Sequence, residues 1–117
     1  MAGYEVAKID EIEGSYGGAF KQVRTAVGGT AFGINIMDLP PNADGYPEHD
    51  HSQDGQEEIY VTLSGGGVMQ IEGDEVTLDA NTIIRVAAGT KRKVLPGDDG
   101  ARLLVVGGTP GKAYEPN

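Results

Sequence analysis

Tyr46-Pro-Glu-His49-Asp-His51-Ser-Gln-Asp-Gly-Gln-Glu57-Glu58-Ile-Tyr60-Val-Thr62-Leu-Ser-Gly65-Gly-Gly67 is the stretch on which the reading of this chain turns. It holds both histidines, two residues apart, and the carboxylate pair Glu57 and Glu58 at the head of an apolar run. In an extended segment side chains two apart point to the same face, so both imidazoles can converge on one point. In the strand that follows, Glu58, Tyr60 and Thr62 share one face while Ile59, Val61 and Leu63 share the other. The polar face of that strand looks where the histidines look.

The rest of the composition narrows the function classes. A chain of 117 residues is one domain, able to bury roughly two-thirds of its unfolded surface around a single core. Nine basic against eighteen acidic residues leave a net charge of -9, which repels phosphate backbones and anionic lipid, so neither nucleic acid nor a membrane is an expected partner. The absence of cysteine excludes disulfides, zinc-thiolate sites and a cysteine nucleophile. The first residues hold no apolar run of signal-peptide length, and a cytoplasmic location is expected. Nineteen glycines and six prolines interrupt the chain too often for long helices, and they sit between β-patterned runs.

Outward from the histidine stretch, those runs follow in order. Residues 1–19 predict an edge strand around Tyr4, Val6 and Ile9 before a Gly-Ser-Tyr-Gly-Gly turn, and 20–27 alternate imperfectly. Phe32 to Leu39 alternates at period two and predicts a strand, and Pro40 to Pro47 predicts the loop that delivers a histidine strand. Beyond Glu58–Leu63, the triple glycine at 65–67 permits a tight turn or bulge. Val68–Ile71 and Val76–Leu78 flank a hairpin turn whose expected centre is Gly73-Asp74. Thr82–Val86, Thr90–Leu95 and Arg102–Val106 predict further strands, with turns at Ala87-Ala-Gly89 and at Pro96 to Gly100, and the tail from Gly107 has no periodic pattern. Gly107-Gly-Thr-Pro-Gly-Lys112 is one residue short of a phosphate loop and has Ala113 where serine or threonine is required. About eight short strands without a helix-length connection predict an all-β barrel or sandwich.

These residues resemble the cupins, small jelly-roll barrels of the double-stranded β-helix type. The family's first motif runs Gly, a gap, His-x-His, three or four residues, Glu, six residues, Gly. His49-x-His51 and the Glu58-x6-Gly65 half are present, whereas six residues separate His51 from Glu58 and Gly45 lies closer to His49 than the pattern asks. The second motif aligns on Asn81, Ala87, Gly89, Arg92 and Pro96, of which Gly89 alone matches, and Arg92 stands where the family has a third histidine. The resemblance implies one cupin domain over residues 1–117, its barrel core about 20–106 between flanking arms, and a homodimer that covers barrel edges.

An isolated His-x-His in a proline-rich loop is more simply a solvated pair. Its place before an inward carboxylate makes His49, His51 and Glu58 resemble a 2-His-1-carboxylate site for a divalent transition metal. The donors suit iron, manganese, nickel, copper or zinc alike. Three roles are open to Arg92: holding an anionic group of a small-molecule ligand beside the metal, pairing with Glu58 and replacing the metal, or turning outward. Tyr60 and Thr62 share the Glu58 face and are candidate ligand contacts, Asn35 and Met37 are weaker candidates for the same cavity, and Asp50 and Glu57 face solvent or support the ligands. The resulting expectation is a metal- and ligand-binding barrel, an enzyme of oxygenase or isomerase type in its catalytic form, with a metal-free binding or structural barrel as the alternative.

Overall fold

The computed structural model describes residues 3–115. A 3-10 turn at Ile9–Glu11 precedes β1 (Gly14–Ser15), β2 (Phe20–Gln22), α1 (Val23–Val27), β3 (Gly33–Leu39), β4 (Glu57–Ile71), β5 (Asp74–Leu78), β6 (Ile83–Val86) and β7 (Arg92–Gly108). All pairings are antiparallel in the order β1-β2-β3-β7-β4-β5, and β6 also pairs with β4. The fold is all-β. None of the described helices is long and apolar enough to cross a membrane.

β4 and β7 form the spine, because β7 flanks β4 at both ends, from Glu57↔Gly108 to Ile71↔Arg92. The register slips between Thr62 and Ser64 and between Gly65 and Gly67, so the two strands bend together. Gly65 and Gly67 have φ of 69° and 153°, and a Cβ there would collide with the carbonyls of Gly100 and Leu95 respectively. Only glycine lets the backbones approach this closely while bending. The triple glycine is thus a bulge inside one long strand. The turn expected at Pro96 to Gly100 is instead part of continuous β7, where Pro96 pairs with Gly67 and the residues after it accommodate the bend.

The bend brings both halves of the spine around one core. Met69 and Val94 from one half pack in the same cluster as Tyr60, Leu103 and Val105 from the other, together with Met37 of β3. Each large apolar side chain buried there contributes roughly 1.5–3 kcal/mol. Outside, Ile59, Leu63 and Ile83 stay exposed, and Ile83 pairs across β4 with Val61.

Three further expectations are corrected. Among the described residues the N-terminal arm joins the sheet only at Gly14 and Ser15, with Tyr4 and Val6 exposed: the edge strand is shorter and later than the apolar residues suggest. Helix α1 occupies the imperfect alternation after Gln22, ending at Gly28, whose left-handed backbone (φ 72°) suits a helix C-terminus. The β4–β5 hairpin turns on Glu72-Gly73, both at positive φ, because Asp74 already pairs with Ile71.

Candidate functional site: a histidine-carboxylate cluster over a buried arginine

The histidines arrive on a loop, not on a regular strand. One bridge fixes the loop: the His49 N–H donates to the Arg92 carbonyl at 3.0 Å and the Arg92 N–H returns to the His49 carbonyl at 2.9 Å. The His51 N–H donates to the Ala88 carbonyl at 2.7 Å. The first residue of β7 and the turn before it therefore hold both histidines in place, with the alternate residue Asp50 turned away to cap Ser52. From the opposite side β4 presents Glu58, between β6 through Val86 and β7 through Gly107.

The three side chains meet. His51 Nε2 lies 3.1 Å and His49 Nε2 3.9 Å from Glu58 Oε1, and the two imidazoles pack edge to face with centroids 5.3 Å apart. One ligand atom from each residue falls within 4.8 Å of the others. Donors bound at about 2.0–2.2 Å to a common ion stand roughly 3 Å apart, so the His51–Glu58 separation already suits a metal and the wider ones would have to close by about 1–2 Å.

The far side of each ring is anchored. His49 Nδ1 is 3.2 Å from the Pro47 carbonyl, which only accepts, so Nδ1 carries the proton and Nε2 presents its lone pair to the centre. His51 Nδ1 is 3.1 Å from Asp54 Oδ2. A carboxylate behind a histidine fixes its orientation and raises its basicity, the arrangement that supports metal-binding imidazoles. The hydrogen bond with Glu58 raises the His51 pKa most, burial opposes it, and Asp54 raises it further.

Beneath the cluster lies Arg92, the largest fully buried side chain. Its Nη2 donates to Glu58 Oε1 at 2.7 Å, Nε to the Tyr60 hydroxyl at 3.2 Å, and Nη1 to the carbonyls of Thr90 at 2.7 Å and Ala87 at 3.4 Å. Tyr60 in turn donates to Glu58 Oε1 at 2.8 Å. Burial pushes the Glu58 carboxyl up, but the close His51, Arg92 and Tyr60 donors, with the His49 ring beside them, outweigh it and hold the group well below the usual carboxylate range. Glu58 is a fixed anion. These contacts all fall on Oε1, and none is to Oε2.

A cavity of about 280 Å³ opens beside the cluster, lined by His49, His51 and Glu58 and by Tyr46, Asn35 and Met37 among others. Burial, and then the Glu58 charge, push the Tyr46 phenol up to about 12, so it stays a neutral hydroxyl at the wall. Asn35 and Met37 line this cavity, whereas Arg92, Tyr60 and Thr62 do not. Arg92 and Tyr60 lie beneath Glu58 and hold it, and Thr62 is farther along β4 with its buried hydroxyl unpartnered among the described residues. Glu57 points outward to Arg85, at 2.7 Å.

Sequence reasoning missed Asp54, Tyr46, Arg24 and Tyr114 as cavity residues. Asp54 sits in the extra Ser52–Gly55 turn and reaches His51 because the chain reverses there, the Gly55 N–H donating to the His51 carbonyl at 2.8 Å. Its spacing of three from His51 was a readable signal. Arg24 and Tyr114 come from the short helix and the aperiodic tail, which carry no local pattern that predicts where they dock.

Comparison with known proteins places the fold. The sequence profile of a family described as Cupin domain matches residues 35–107. A cupin protein from Bacteroides fragilis is similar over 100% of this chain and 93% of its own, at 24% identity and TM-score 0.79. A sugar phosphate isomerase from a cupin superfamily, from Silicibacter pomeroyi, is similar over 88% of this chain and 74% of its own, at 23% identity and TM-score 0.66. A protein from Photorhabdus luminescens is similar over 94% of this chain and 90% of its own, at 11% identity and TM-score 0.72. No curated protein matches the sequence. At these identities the structural likenesses concern the fold.

Proposed function

Since the chain belongs to the cupin domain family, we propose that its barrel binds a divalent transition metal through His49, His51 and Glu58 and acts on a small polar or anionic molecule in the adjoining cavity. The observation that carries this reading is the anchoring of both rings, His49 by the Pro47 carbonyl and His51 by Asp54, which turns both Nε2 atoms toward Glu58. When bound, such a metal supplies a Lewis acid or an oxygen-activating centre. The chain's own residues do the rest: Arg92 and Tyr60 keep Glu58 ionised and aimed, and the cavity wall orients the ligand.

A second reading rests on the 2.7 Å Arg92–Glu58 pair itself. Here the guanidinium satisfies the carboxylate permanently, and the barrel is a metal-free binding or structural module. Element analysis of protein purified without a metal-affinity step separates the two. Near-stoichiometric transition metal that disappears in His51→Ala supports the first reading, and metal-free protein whose Arg92→His variant gains metal supports the second.

We also propose a homodimer through the outer face that carries Ile59, Leu63 and Ile83. The charges flanking that face, Glu57 and Arg85, are paired with each other at 2.7 Å, so two copies of a chain of net charge -9 can meet there without unpaired like charge.

A further inference from the structure

Four arginines occur in the chain, and three of them are consumed by carboxylates: Arg85 by Glu57, Arg92 by Glu58, and Arg102 by both Asp38 and Asp10. The fourth, Arg24 in α1, has no carboxylate partner among the described residues. Its contacts are Nη1 to the Gly29 carbonyl at 3.3 Å and Nη2 to the Thr25 hydroxyl at 3.5 Å, both longer than an ordinary N–H···O bond. Acidic residues outnumber basic ones eighteen to nine, yet this arginine has no carboxylate among the described residues, and it lines the cavity beside His49, His51 and Glu58.

The surroundings favour an anion there despite the overall negative charge. The cavity carboxylates are Asp54 and Glu58, and both are engaged, Asp54 by His51 and Glu58 by Arg92, Tyr60 and His51. Much of the remaining wall is neutral and hydrogen-bonding: Gln22, Thr25, Asn35, Gln56 and Tyr114. A planar guanidinium with weakly held N–H groups at such a wall matches the two oxygens of a carboxylate or phosphate.

We propose that Arg24 receives the oxyanion of the cavity's ligand, and that the ligand is a small carboxylate- or phosphate-bearing molecule whose remaining polar groups face the histidine cluster. This deepens the reading above and rests on that cavity being the ligand site, but not on a metal being bound. It also moves anion recognition from Arg92, which is sealed beneath Glu58, to a residue on the short helix.

The test is calorimetric titration of the purified protein with inorganic phosphate and with malonate, before and after treatment with a chelator. At least one anion is expected to bind at millimolar concentration, and the better of the two identifies the class of anion. Arg24→Gln is expected to weaken that binding by about tenfold or more, the scale of a lost charge-assisted hydrogen bond. Arg24→Lys should recover part of it, and Arg85→Gln, on the outer face, should leave it unchanged. Binding equal to wild type in Arg24→Gln, or no binding of either anion to the wild type, overturns the proposal. Metal content is read on the same samples. An unloaded site with intact, Arg24-dependent anion binding defeats the metal reading alone, while a loaded site with Arg24-independent binding defeats this one alone.

Discussion

Replacing Arg92 by methionine should make the protein weaker without metal and more responsive to it. The side chain is fully buried and makes its hydrogen bonds to Tyr60, Ala87, Thr90 and Glu58. Removing it strands the Glu58 carboxylate, and deleting one partner of a buried pair costs about 3–5 kcal/mol. For a domain of this size that is a fall in Tm of roughly 10–25 °C. The effect on metal has the opposite sign. An ion on Glu58 would sit roughly 5 Å from the guanidinium, where a divalent and a unit charge repel by about 6–7 kcal/mol at an effective dielectric of 20. If a third of that survives relaxation, about 2 kcal/mol, Arg92→Met binds metal about 30-fold more tightly. At a metal concentration equal to the wild-type Kd, the wild type gains about 0.4 kcal/mol and the variant about 2 kcal/mol. Thermal melts of chelator-stripped protein, with and without added Zn²⁺ or Mn²⁺, read both effects. A stripped variant as stable as wild type refutes the structural half of the reasoning. A destabilised variant that metal stabilises no more than wild type refutes the electrostatic half, because the guanidinium would then be organising the site and not opposing the ion.

The hydroxyl of Thr62 is buried without a partner, so Thr62→Val should be neutral or stabilising by up to about 1 kcal/mol, seen as a higher urea midpoint at unchanged m; a loss of more than about 1 kcal/mol would mean the hydroxyl has a partner. Metal affinity should rise with pH through the pKa of His51, which Glu58 and Asp54 hold above the ordinary imidazole value. Below that pKa an ion must displace a proton, costing about a factor of ten per pH unit, and above it the competition ends. In the stripped protein the same shift contributes stability that is full below the ordinary imidazole pKa and lost as pH rises through the raised one, and Asp54→Ala should move both midpoints down, as calorimetry and melts across pH would show. Gly67→Ala should cost roughly 2–4 kcal/mol in urea unfolding, since φ is 153° and a Cβ would strike the Leu95 carbonyl; a cost near zero would mean the bulge can relax. Sedimentation should find a dimer that Ile83→Lys dissociates, and a monomeric wild type would sink the dimer reading.

How much of this was legible depends on whether a feature is set by neighbours in sequence or by neighbours in space. The strand character of β3 and β6 and the His-x-His before an inward glutamate are local, and they survive into the fold. The stretch at 65–67 was legible as a place that needs glycine, but whether it turns or bulges depends on the carbonyls of Gly100 and Leu95, more than twenty residues away. Pro96 reads locally as a strand end, yet its missing N–H is tolerated in a strand that is already bending. On β3 the alternation marks a strand but not which residues are buried: Phe32 is about half exposed, while the successive residues Ile36 and Met37 are both buried and Leu39 joins the core. Arg92 was legible as the residue on which the site turns, because it stands where the resembled family has a third histidine. Its hydrogen bonds to the carbonyls of Ala87 and Thr90 come from the turn geometry before β7, which the sequence pattern does not specify.

The arginines show why residue type alone does not assign a role in an acidic chain. Arg102 links Asp10 of the N-terminal arm to Asp38 of β3, and Arg85 neutralises Glu57 on the outer face. Arg92 has no exposed surface, and its charge is spent on fixing Glu58, so what it contributes to the site is the aim and ionisation of a carboxylate. Arg24 carries the same group at the cavity wall with two long hydrogen bonds, and there the charge remains available to a ligand. Burial depth and the presence of a carboxylate partner therefore divide the work in the proposed scheme: the guanidinium under the histidines would decide whether the cluster takes a metal, and the one on the short helix what enters beside it.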